Sequence, residues 1–284
     1  MAIIYYFLAF LVLHLPKKTS FFLIRCFACL YYWTTPGLKR RLRANLGRVL
    51  KETGRSQEGL ERLVREGYLN FGRYLYEFYL IPRMDGDFLK RRLEIRGREY
   101  LDQAFQRGRG VISLTAHLGN WELAGVFAAL LGYPITAVAL PHKGQMLNRF
   151  FLRRRQVKGV KVVLLGKQSK RLITALRQNQ LVALLGDRAF GPPYLDLKFF
   201  GKTAILPAGP AHLAVKLGSP VVPGFLVREG EKFIFFFEPP LYPDSDKRNP
   251  DAVRKLAEES VVYLEKYISA YPSQWLVFDY VWKK

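Results

Sequence analysis

The sequence predicts an α/β fold with a mostly parallel central sheet flanked by helices, together with an apolar N-terminal membrane anchor. From about residue 94 onwards, short apolar runs alternate with helical segments, which is the pattern of strands joined by crossover helices. The first 35 residues are instead almost continuously apolar. The predicted strands lie at 111–116, 135–140, 161–165, 181–186 and 221–227, and the predicted helices at 119–131, 145–158, 169–179 and 207–217.

The same pattern extends to both ends of the alternating region. A short strand at 94–97 precedes a helix at 98–107, and a strand at 232–238 precedes a long helix at 250–271. These segments predict a chain in three parts, which are a membrane anchor at 1–35, a basic and aromatic helical segment at 36–93, and an α/β core at 94–284.

Two apolar runs form the N-terminal part. Residues 1–15 are almost wholly apolar, and residues 21–33 are interrupted only by Arg25. Neither run reaches the roughly 20 residues that span a bilayer upright. The prediction is therefore an uncleaved anchor, either a short span or an embedded helical hairpin. Basic residues after these runs predict that the body of the protein lies on the cytoplasmic side; they are Lys17, Lys18, Lys39, Arg40, Arg41 and Arg43.

The segment at 36–93 contains two predicted helices. Residues 38–50 carry Leu42, Leu46 and Leu50 at helical spacing, with basic residues on the other face. Such a helix is suited to an anionic lipid surface, although an ordinary solvated helix shows the same pattern. Residues 60–80 form a second helix, whose aromatic stripe indicates a core or interfacial position.

The chain of 284 residues has a formal net charge of +22. A positive charge of this size predicts an anionic partner. The alternatives are a membrane surface, an acidic protein, a phosphorylated substrate and nucleic acid. The aromatic residues lie within apolar runs and not among the basic clusters, which argues against nucleic acid. Cys26 and Cys29 have metal or redox spacing, but no second pair or nearby His completes a site, so no metal or cofactor is expected.

His117 is the leading candidate for a catalytic residue. It follows a predicted strand, and open α/β sheets bind ligands outside the carboxyl ends of their strands. Glu122 can fold back beneath the imidazole if residues 118–120 form a tight turn. A carboxylate on one ring nitrogen would fix the tautomer and leave the other nitrogen free to accept a proton. The alternative interpretation is that His117 caps a helix and Glu122 is an acid in its first turn.

Residues 117–122, His-Leu-Gly-Asn-Trp-Glu, resemble the H-x4-[D/E] signature of the glycerolipid acyltransferase superfamily. The longer version, with Ala116 before it and Leu123 after it, resembles the lipid A biosynthesis (lauroyl/myristoyl) acyltransferases. The resemblance continues at 186–188 and 199–204 and returns at 274–276, so it covers most of the chain. It implies a glycerolipid-acyltransferase-like fold at the bacterial cytoplasmic (inner) membrane, with the catalytic domain facing the cytoplasm.

The resemblance also implies substrate-binding residues outside this motif. The family carries arginines implicated in the active site after the second predicted strand, and guanidinium groups suit phosphate. The alternative is a solvated run of charge. Asp187 and Arg188 follow another predicted strand, either as a salt bridge or with the aspartate positioning the arginine; the second acid that the family usually has is replaced by Ala189. The predicted substrate-binding residues are Asn120, Arg149, Arg153, Arg155, Asp187 and Arg188.

The predicted reaction is transfer of a fatty acyl group from a thioester to a hydroxyl of a lipid A-type glycolipid. His117 would deprotonate the hydroxyl, and Glu122 would orient and stabilise the imidazolium. Backbone amides near Gly119 and Asn120, or an arginine, would hold the oxyanion. The family uses acyl carrier protein, whose acidity suits the positive charge of this chain, and acyl-CoA is the alternative donor. The expected partners are therefore this donor, an anionic glycolipid acceptor and membrane lipids, with no nucleic acid.

Other functions and another base stay open at this point. One rival is an acyltransferase or hydrolase of another polar lipid, such as an ornithine lipid or a phosphatidyl glycan. A second is a non-catalytic, membrane-associated nucleic-acid binder. His142, which also follows a predicted strand, is the alternative catalytic base.

Overall fold

The computed structural model describes residues 2–142, 144–165, 169–244, 249 and 251–282. The helices in these ranges are α1 (Ala2–His14), α2 (Lys17–Thr34), α3 (Pro36–Glu52), α4 (Leu60–Leu80), α5 (Gly86–Arg92), α6 (Arg98–Gln106), α7 (Trp121–Leu130), α8 (Gln145–Gln156), α9 (Ser169–Arg177), α10 (Gly209–Leu217) and α11 (Ala252–Ala270). The strands are β1 (Leu93–Arg96), β2 (Val111–Thr115), β3 (Ile135–Ala139), β4 (Lys161–Leu164), β5 (Leu181–Leu185), β6 (Tyr194–Phe199), β7 (Lys202–Pro207), β8 (Val221–Glu229) and β9 (Lys232–Phe237).

A central sheet has the strand order β1-β9-β8-β2-β5-β3-β4 in the described part of the chain. The strands from β8 to β4 run parallel to one another, β9 is antiparallel to β8, and β1 is parallel to β9. The predicted α/β fold with a mostly parallel sheet is confirmed. All five residues of β2 are buried, as expected for a strand with neighbours on both sides and helices on both faces.

Two buried apolar clusters cover the two faces of this sheet. One cluster joins the sheet to α7 and α8, and the other joins it to α9, α10 and α11. Successive strand side chains point to opposite faces, so Ala137 and Ala183 belong to the first cluster while Val138 and Leu184 belong to the second. We call the side of the sheet that carries the first cluster the α7 face, and the side that carries the second cluster the α10 face.

The prediction of an N-terminal membrane anchor is wrong. Within the described residues, no helix is both long and apolar enough to cross a membrane. The 13 residues of α1 rise by about 1.5 Å each, which falls short of a hydrocarbon core roughly 30 Å thick. α2 has 18 residues but includes Lys17, Lys18 and Arg25. Each helix instead buries small or apolar side chains against the protein, among them Ala9 of α1 and Ala28 of α2.

The basic helix α3 also turns its apolar face inward. Leu42, Leu46 and Leu50 are buried in the cluster on the α10 face, together with residues of α4. This leucine stripe is therefore core packing and not a lipid-facing surface. The aromatic stripe of α4 is largely core as well, since Tyr68, Phe78 and Tyr79 are buried.

A separate antiparallel hairpin, formed by β6 and β7, was not predicted from the sequence. The burial of β6 alternates only at its end, with Leu197 and Phe199 buried and Tyr194 exposed. Phe199 and Phe200 pack on Trp275 and Trp282 of the C-terminal region. The hairpin thus packs against the C-terminal region of the chain through these aromatic contacts.

Candidate active site

The loop at 116–120 joins β2 to α7 and carries His117 to the carboxyl edge of the sheet. Gly119 has φ 61°, and a Cβ at this position would overlap the carbonyl oxygen of Leu226. Only glycine satisfies both demands. Asn120 then caps α7, because its Oδ1 accepts a hydrogen bond of 3.1 Å from the Leu123 amide. These two residues fix where the loop ends and the helix begins.

Asp187, and not Glu122, is the carboxylate that contacts His117. The Nδ1 of His117 lies 2.9 Å from Oδ1 of Asp187, and the His117 backbone amide donates to Oδ2 at 2.9 Å. Nε1 of Trp275 also donates to this Oδ2, at 2.8 Å. Parallel pairing of Thr115 with Leu185 explains the contact, because His117 and Asp187 each lie two residues beyond this pair.

Asp187 is fully buried, yet its surroundings favour the ionised carboxylate. Burial alone would raise the pKa of its carboxyl group, but the His117 ring and the donors from Trp275 and the His117 backbone lower this pKa overall. An ionised Asp187 accepts a hydrogen bond from Nδ1–H of His117. Nε2 is then the ring nitrogen that can accept a proton from a molecule in the cavity that His117 lines.

Glu122 belongs to a different buried pair. Its two oxygens accept hydrogen bonds of 2.6 and 2.5 Å from Nε and a terminal nitrogen of Arg155 on α8. Both side chains are 10% exposed. Burial alone would lower the pKa of Arg155, but the Glu122 carboxylate raises it overall. The predicted contact between Glu122 and the imidazole is therefore absent, since α7 begins at Trp121 and directs Glu122 towards α8. The Trp121 ring lies edge-on to His117 instead, with 5.0 Å between ring centroids.

Among the predicted arginines, Arg155 and Arg188 line the cavity beside His117. Arg188 forms an ion pair with Asp279, so it is not paired with the preceding aspartate. Its guanidinium lies over Phe190, 4.2 Å from the ring centroid. Arg149 and Arg153 are exposed on α8 and do not join the cavity lining. Arg153 borders a separate shallow groove between α1 and α8.

The Asn120 side chain is buried and committed to the protein. Its Nδ2 donates a hydrogen bond of 2.8 Å to Oε2 of Glu77 on α4, while its Oδ1 caps α7. Asn120 does not line the cavity, so the structure gives it a role in holding the loop and not in contacting a substrate.

The backbone amides expected to bind an oxyanion are also engaged. The Gly119 amide donates to the Gln274 carbonyl at 2.9 Å, and the Asn120 amide donates to the Leu226 carbonyl at 3.1 Å. The predicted oxyanion role of these two amides is therefore wrong. The amide of His117 is likewise taken, by Asp187.

Residues 274–276 hold the same loop from the C-terminal side. The Leu276 amide donates to the His117 carbonyl at 2.8 Å, and Leu118 forms a β-bridge with Trp275. The side chain of Gln274 exchanges hydrogen bonds of 2.9 and 2.8 Å with the backbone of Arg228 on β8. This C-terminal segment therefore connects the His117 loop, Asp187 and β8.

Glu77 is a buried residue of this region that the sequence did not reveal. It forms an ion pair with Arg228, in which both side chains are nearly buried. Burial raises the pKa of Glu77 above its ordinary value, while Arg228 and Asn120 act in the opposite direction. The sequence gives little indication of this ion pair, because Glu77 lies within an aromatic helix and its partner Arg228 is 151 residues further along the chain.

An apolar cavity of about 350 Å³ opens at the carboxyl edge of the sheet. The ionisable residues of its lining within the described part of the chain are Tyr74, His117, Glu122, His142, Arg155 and Arg188. Because the lining includes neighbouring strand residues that point to opposite sides, the cavity reaches both faces of the sheet. On the α7 face its apolar lining includes Gly125, Ala137, Phe151, Val160 and Ala183; on the α10 face it includes Val138, Leu184 and Pro210.

His142, the alternative base, lies in the same cavity. Its ring stacks on Phe151 with 4.1 Å between centroids. Burial, together with the charge of Arg155, lowers the pKa of His142, against an opposing effect of Glu122. Within the described residues, no carboxylate hydrogen-bonds to this ring, so only His117 has the arrangement expected of an oriented base. The described residues also contain no group of three or more His, Cys, Asp and Glu side chains that could hold a metal ion.

The site and fold together define an α/β protein with a histidine–carboxylate pair at the edge of an apolar cavity. A histidine with an ionised carboxylate behind it faces an apolar cavity, which suits proton abstraction from a substrate with an apolar part. The chain matches the family described as bacterial lipid A biosynthesis acyltransferase over residues 1–284, and it belongs to this family. The protein is therefore an acyltransferase, as the resemblance of its motifs implied.

Individual relatives support the same class. The chain is 28% identical over 255 residues to a phosphatidylinositol mannoside acyltransferase of Mycolicibacterium smegmatis, covering 88% of this chain and 82% of that protein. A protein of the same description from Mycobacterium tuberculosis is 29% identical over 257 residues, covering 88% of this chain and 79% of the relative. A lipid A biosynthesis acyltransferase of Haemophilus influenzae is 25% identical over 198 residues, covering 68% of this chain and 58% of the relative.

Proposed function

We propose that the protein transfers a fatty acyl group from a thioester donor to a sugar hydroxyl of an anionic glycolipid, with His117 as the base and Asp187 as its partner. The observation that carries this proposal is the position of His117, whose ring is held by a buried carboxylate at the edge of an apolar cavity. A hydrolase would use the same base on water. The family match favours transfer over hydrolysis.

In the proposed reaction, Nε2 of His117 removes the proton of the acceptor hydroxyl as its oxygen attacks the thioester carbonyl carbon. Asp187 stabilises the imidazolium that forms and keeps the ring in place. The tetrahedral intermediate then collapses, the carbon–sulfur bond breaks, and the imidazolium returns its proton to the departing thiolate. No group on the enzyme becomes acylated.

The part of the cavity on the α7 face suits the acyl chain. Small residues on the helix and the sheet, Gly125, Ala137 and Ala183, border it. A Cβ on Gly125 would meet its nearest neighbour, Cδ1 of Ile135, at 3.7 Å, which is an ordinary contact. Packing alone therefore does not demand glycine there, although glycine within a helix costs about 1 kcal/mol relative to alanine. Glycine at position 125 leaves room for the bound acyl chain, which accounts for the absence of a side chain there.

The acceptor is proposed to be a glycolipid that carries phosphate. The relatives that cover most of this chain are described as phosphatidylinositol mannoside acyltransferases, and another as a lipid A biosynthesis acyltransferase. Arg188 supports an anionic acceptor, since its guanidinium borders the cavity near His117. The net charge of +22 suits both this acceptor and an acidic carrier of the acyl group.

We place the reaction at the cytoplasmic face of the bacterial inner membrane. Thioester donors such as acyl carrier protein and acyl-CoA are soluble and cytoplasmic, whereas the glycolipid resides in the bilayer. The enzyme must therefore meet both at the membrane surface. The positive charge of the chain favours attraction to anionic lipids there.

The test is an assay of purified protein with acyl carrier protein and CoA thioesters as donors. Acceptors would include a phosphatidylinositol mannoside, a lipid A precursor and an ornithine lipid, and the products would be identified by mass spectrometry. We expect acylated glycolipid in amounts that exceed free fatty acid. Release of free fatty acid alone would contradict transfer, and acylation of the ornithine lipid alone would contradict the proposed acceptor.

A further inference from the structure

Thr115 carries a buried hydroxyl that the protein leaves unpaired. It is the last residue of β2, the residue is 8% exposed, and it lines the cavity together with His117. Its Oγ1 has no hydrogen-bond partner among the described residues. Its backbone carbonyl, by contrast, accepts a bond of 2.8 Å from the Gly186 amide. Burying a hydroxyl without a partner is unfavourable, so the group is expected to serve something that enters the cavity.

Thr115 is also placed where the reaction needs a donor. The chain alternates sides along β2, so Leu114 belongs to the cluster on the α10 face and Thr115 points to the α7 face. This is the side on which Gly125, Ala137 and Ala183 border the proposed acyl site. The base, His117, lies two residues further along the same chain segment.

Several other candidate donors around His117 are already engaged. The amides of His117, Gly119 and Asn120 donate to Asp187, Gln274 and Leu226. Arg155 is paired bidentately with Glu122, and Arg188 is paired with Asp279. Within the described residues, the Thr115 hydroxyl is the one buried side-chain polar atom of the cavity lining that has no hydrogen-bond partner.

We propose that the Thr115 hydroxyl donates a hydrogen bond to the carbonyl oxygen of the acyl group during transfer. This inference rests on the proposed function. When the acceptor oxygen bonds to the carbonyl carbon, the π-electron pair moves onto the carbonyl oxygen, and the new negative charge is stabilised by the Thr115 O–H without transfer of its proton. The pair returns as the carbon–sulfur bond breaks, and the bond to Thr115 weakens again.

The test compares Thr115→Val, which keeps the shape and removes the hydroxyl, with Thr115→Ser, which keeps the hydroxyl. Removal of one oxyanion donor typically lowers kcat by about 10²–10³-fold. We expect Thr115→Val to show a loss of this size with little change in KM, and Thr115→Ser to retain most of the rate. The melting temperature of Thr115→Val should be equal to or above that of the wild type, because no bond within the protein is lost.

Thr136 provides a matched control on the neighbouring strand β3. It is buried, and its hydroxyl already has a partner, Oε1 of Gln180, at 3.5 Å. Thr136→Val should therefore lower the melting temperature slightly and leave kcat unchanged. Wild-type turnover in Thr115→Val, or equal losses in the Val and Ser variants, would overturn the role of the hydroxyl. If the wild type transfers no acyl group to any acceptor, the proposed function itself fails and this inference with it.

Discussion

At the scale of single residues, the partners of two buried carboxylates decide what each can do. Asp187 accepts hydrogen bonds from an imidazole, an indole and an amide, so its charge is available to an imidazolium. The charge of Glu122 is neutralised by the permanent charge of Arg155. This ion pair suits a structural role in the cavity wall, where α7 meets α8. Leaving a buried charge without its partner lowers the stability of the folded protein. Removal of one member of either pair should therefore change stability in a measurable way.

Glu122→Gln should destabilise the protein, because it leaves the buried Arg155 charge without a carboxylate. Removal of one partner from a buried pair typically costs about 3–5 kcal/mol. Urea unfolding should show a loss of this size. The double variant Glu122→Gln/Arg155→Met should recover part of the loss, since it removes the unpaired charge as well. Equal stability of wild type and Glu122→Gln would show that the pair contributes nothing to folding.

From the sequence, His117 could be singled out as a candidate base, but the carboxylate that contacts it could not be identified. The sequence predicts Asp187 as a substrate-binding residue after a strand, and Glu122 is closer to His117 along the chain. The correct pairing depends on β2 and β5 being neighbours in register, and strand order cannot be derived from periodicity. The orphan hydroxyl of Thr115 could not be predicted either, because a threonine at a strand end looks ordinary until its surroundings are known.

At the scale of elements, the C-terminal segment at 274–276 organises the site although it belongs to neither helix nor sheet. It contacts the His117 loop through backbone hydrogen bonds and Asp187 through the indole of Trp275. The elements that were predicted correctly, the parallel strands and their crossover helices, have strong apolar periodicity. The β6–β7 hairpin has a weaker pattern. The apolar helices α1 and α2 resemble an anchor in the sequence because their packing partners lie far away along the chain.

Trp275→Phe should change how stability depends on pH. The pKa of Asp187 is lowered, so its stabilising effect is fully present above its ordinary pKa of 3.8 and is lost as the pH falls through the folded-state value. Without the indole donor this folded-state pKa moves back upwards. The free energy of unfolding, followed by urea titration at a series of pH values, should therefore become less steep on the acid side.

Trp282→Phe is the control for this change. Its indole is also buried and donates to a backbone carbonyl, that of Phe199, at 2.8 Å. This variant should lose stability by a similar amount at every pH, because no carboxylate is involved. An identical pH dependence in both variants would contradict the role assigned to the Trp275 indole.

At the scale of the whole molecule, the net charge of +22 is the property most directly linked to a partner. The apolar stripe of α3 is buried, so its basic residues face outward from the body of the protein. Charge interactions at an exposed surface weaken as salt is added, because the screening length falls. Attraction to an anionic membrane should follow the same rule.

The protein should bind vesicles that contain anionic lipid more tightly than vesicles of neutral lipid. Added salt should release it progressively, since the attraction is electrostatic. Co-sedimentation over a range of salt concentrations measures both effects. Equal binding to the two kinds of vesicle, unchanged by salt, would show that the positive charge does not direct the protein to membranes.

The central claim is that His117 and Asp187 act together as the base of acyl transfer. It is tested most directly by measuring kcat in folded His117→Ala, Asp187→Asn, the corresponding double variant, Glu122→Gln and His142→Ala. The first two should each lose about 10²–10⁴-fold, the double variant should be little worse than the worse single variant, and the last two should retain more activity. Near-normal turnover in Asp187→Asn, with Glu122→Gln or His142→Ala as slow as His117→Ala, would contradict the assignment.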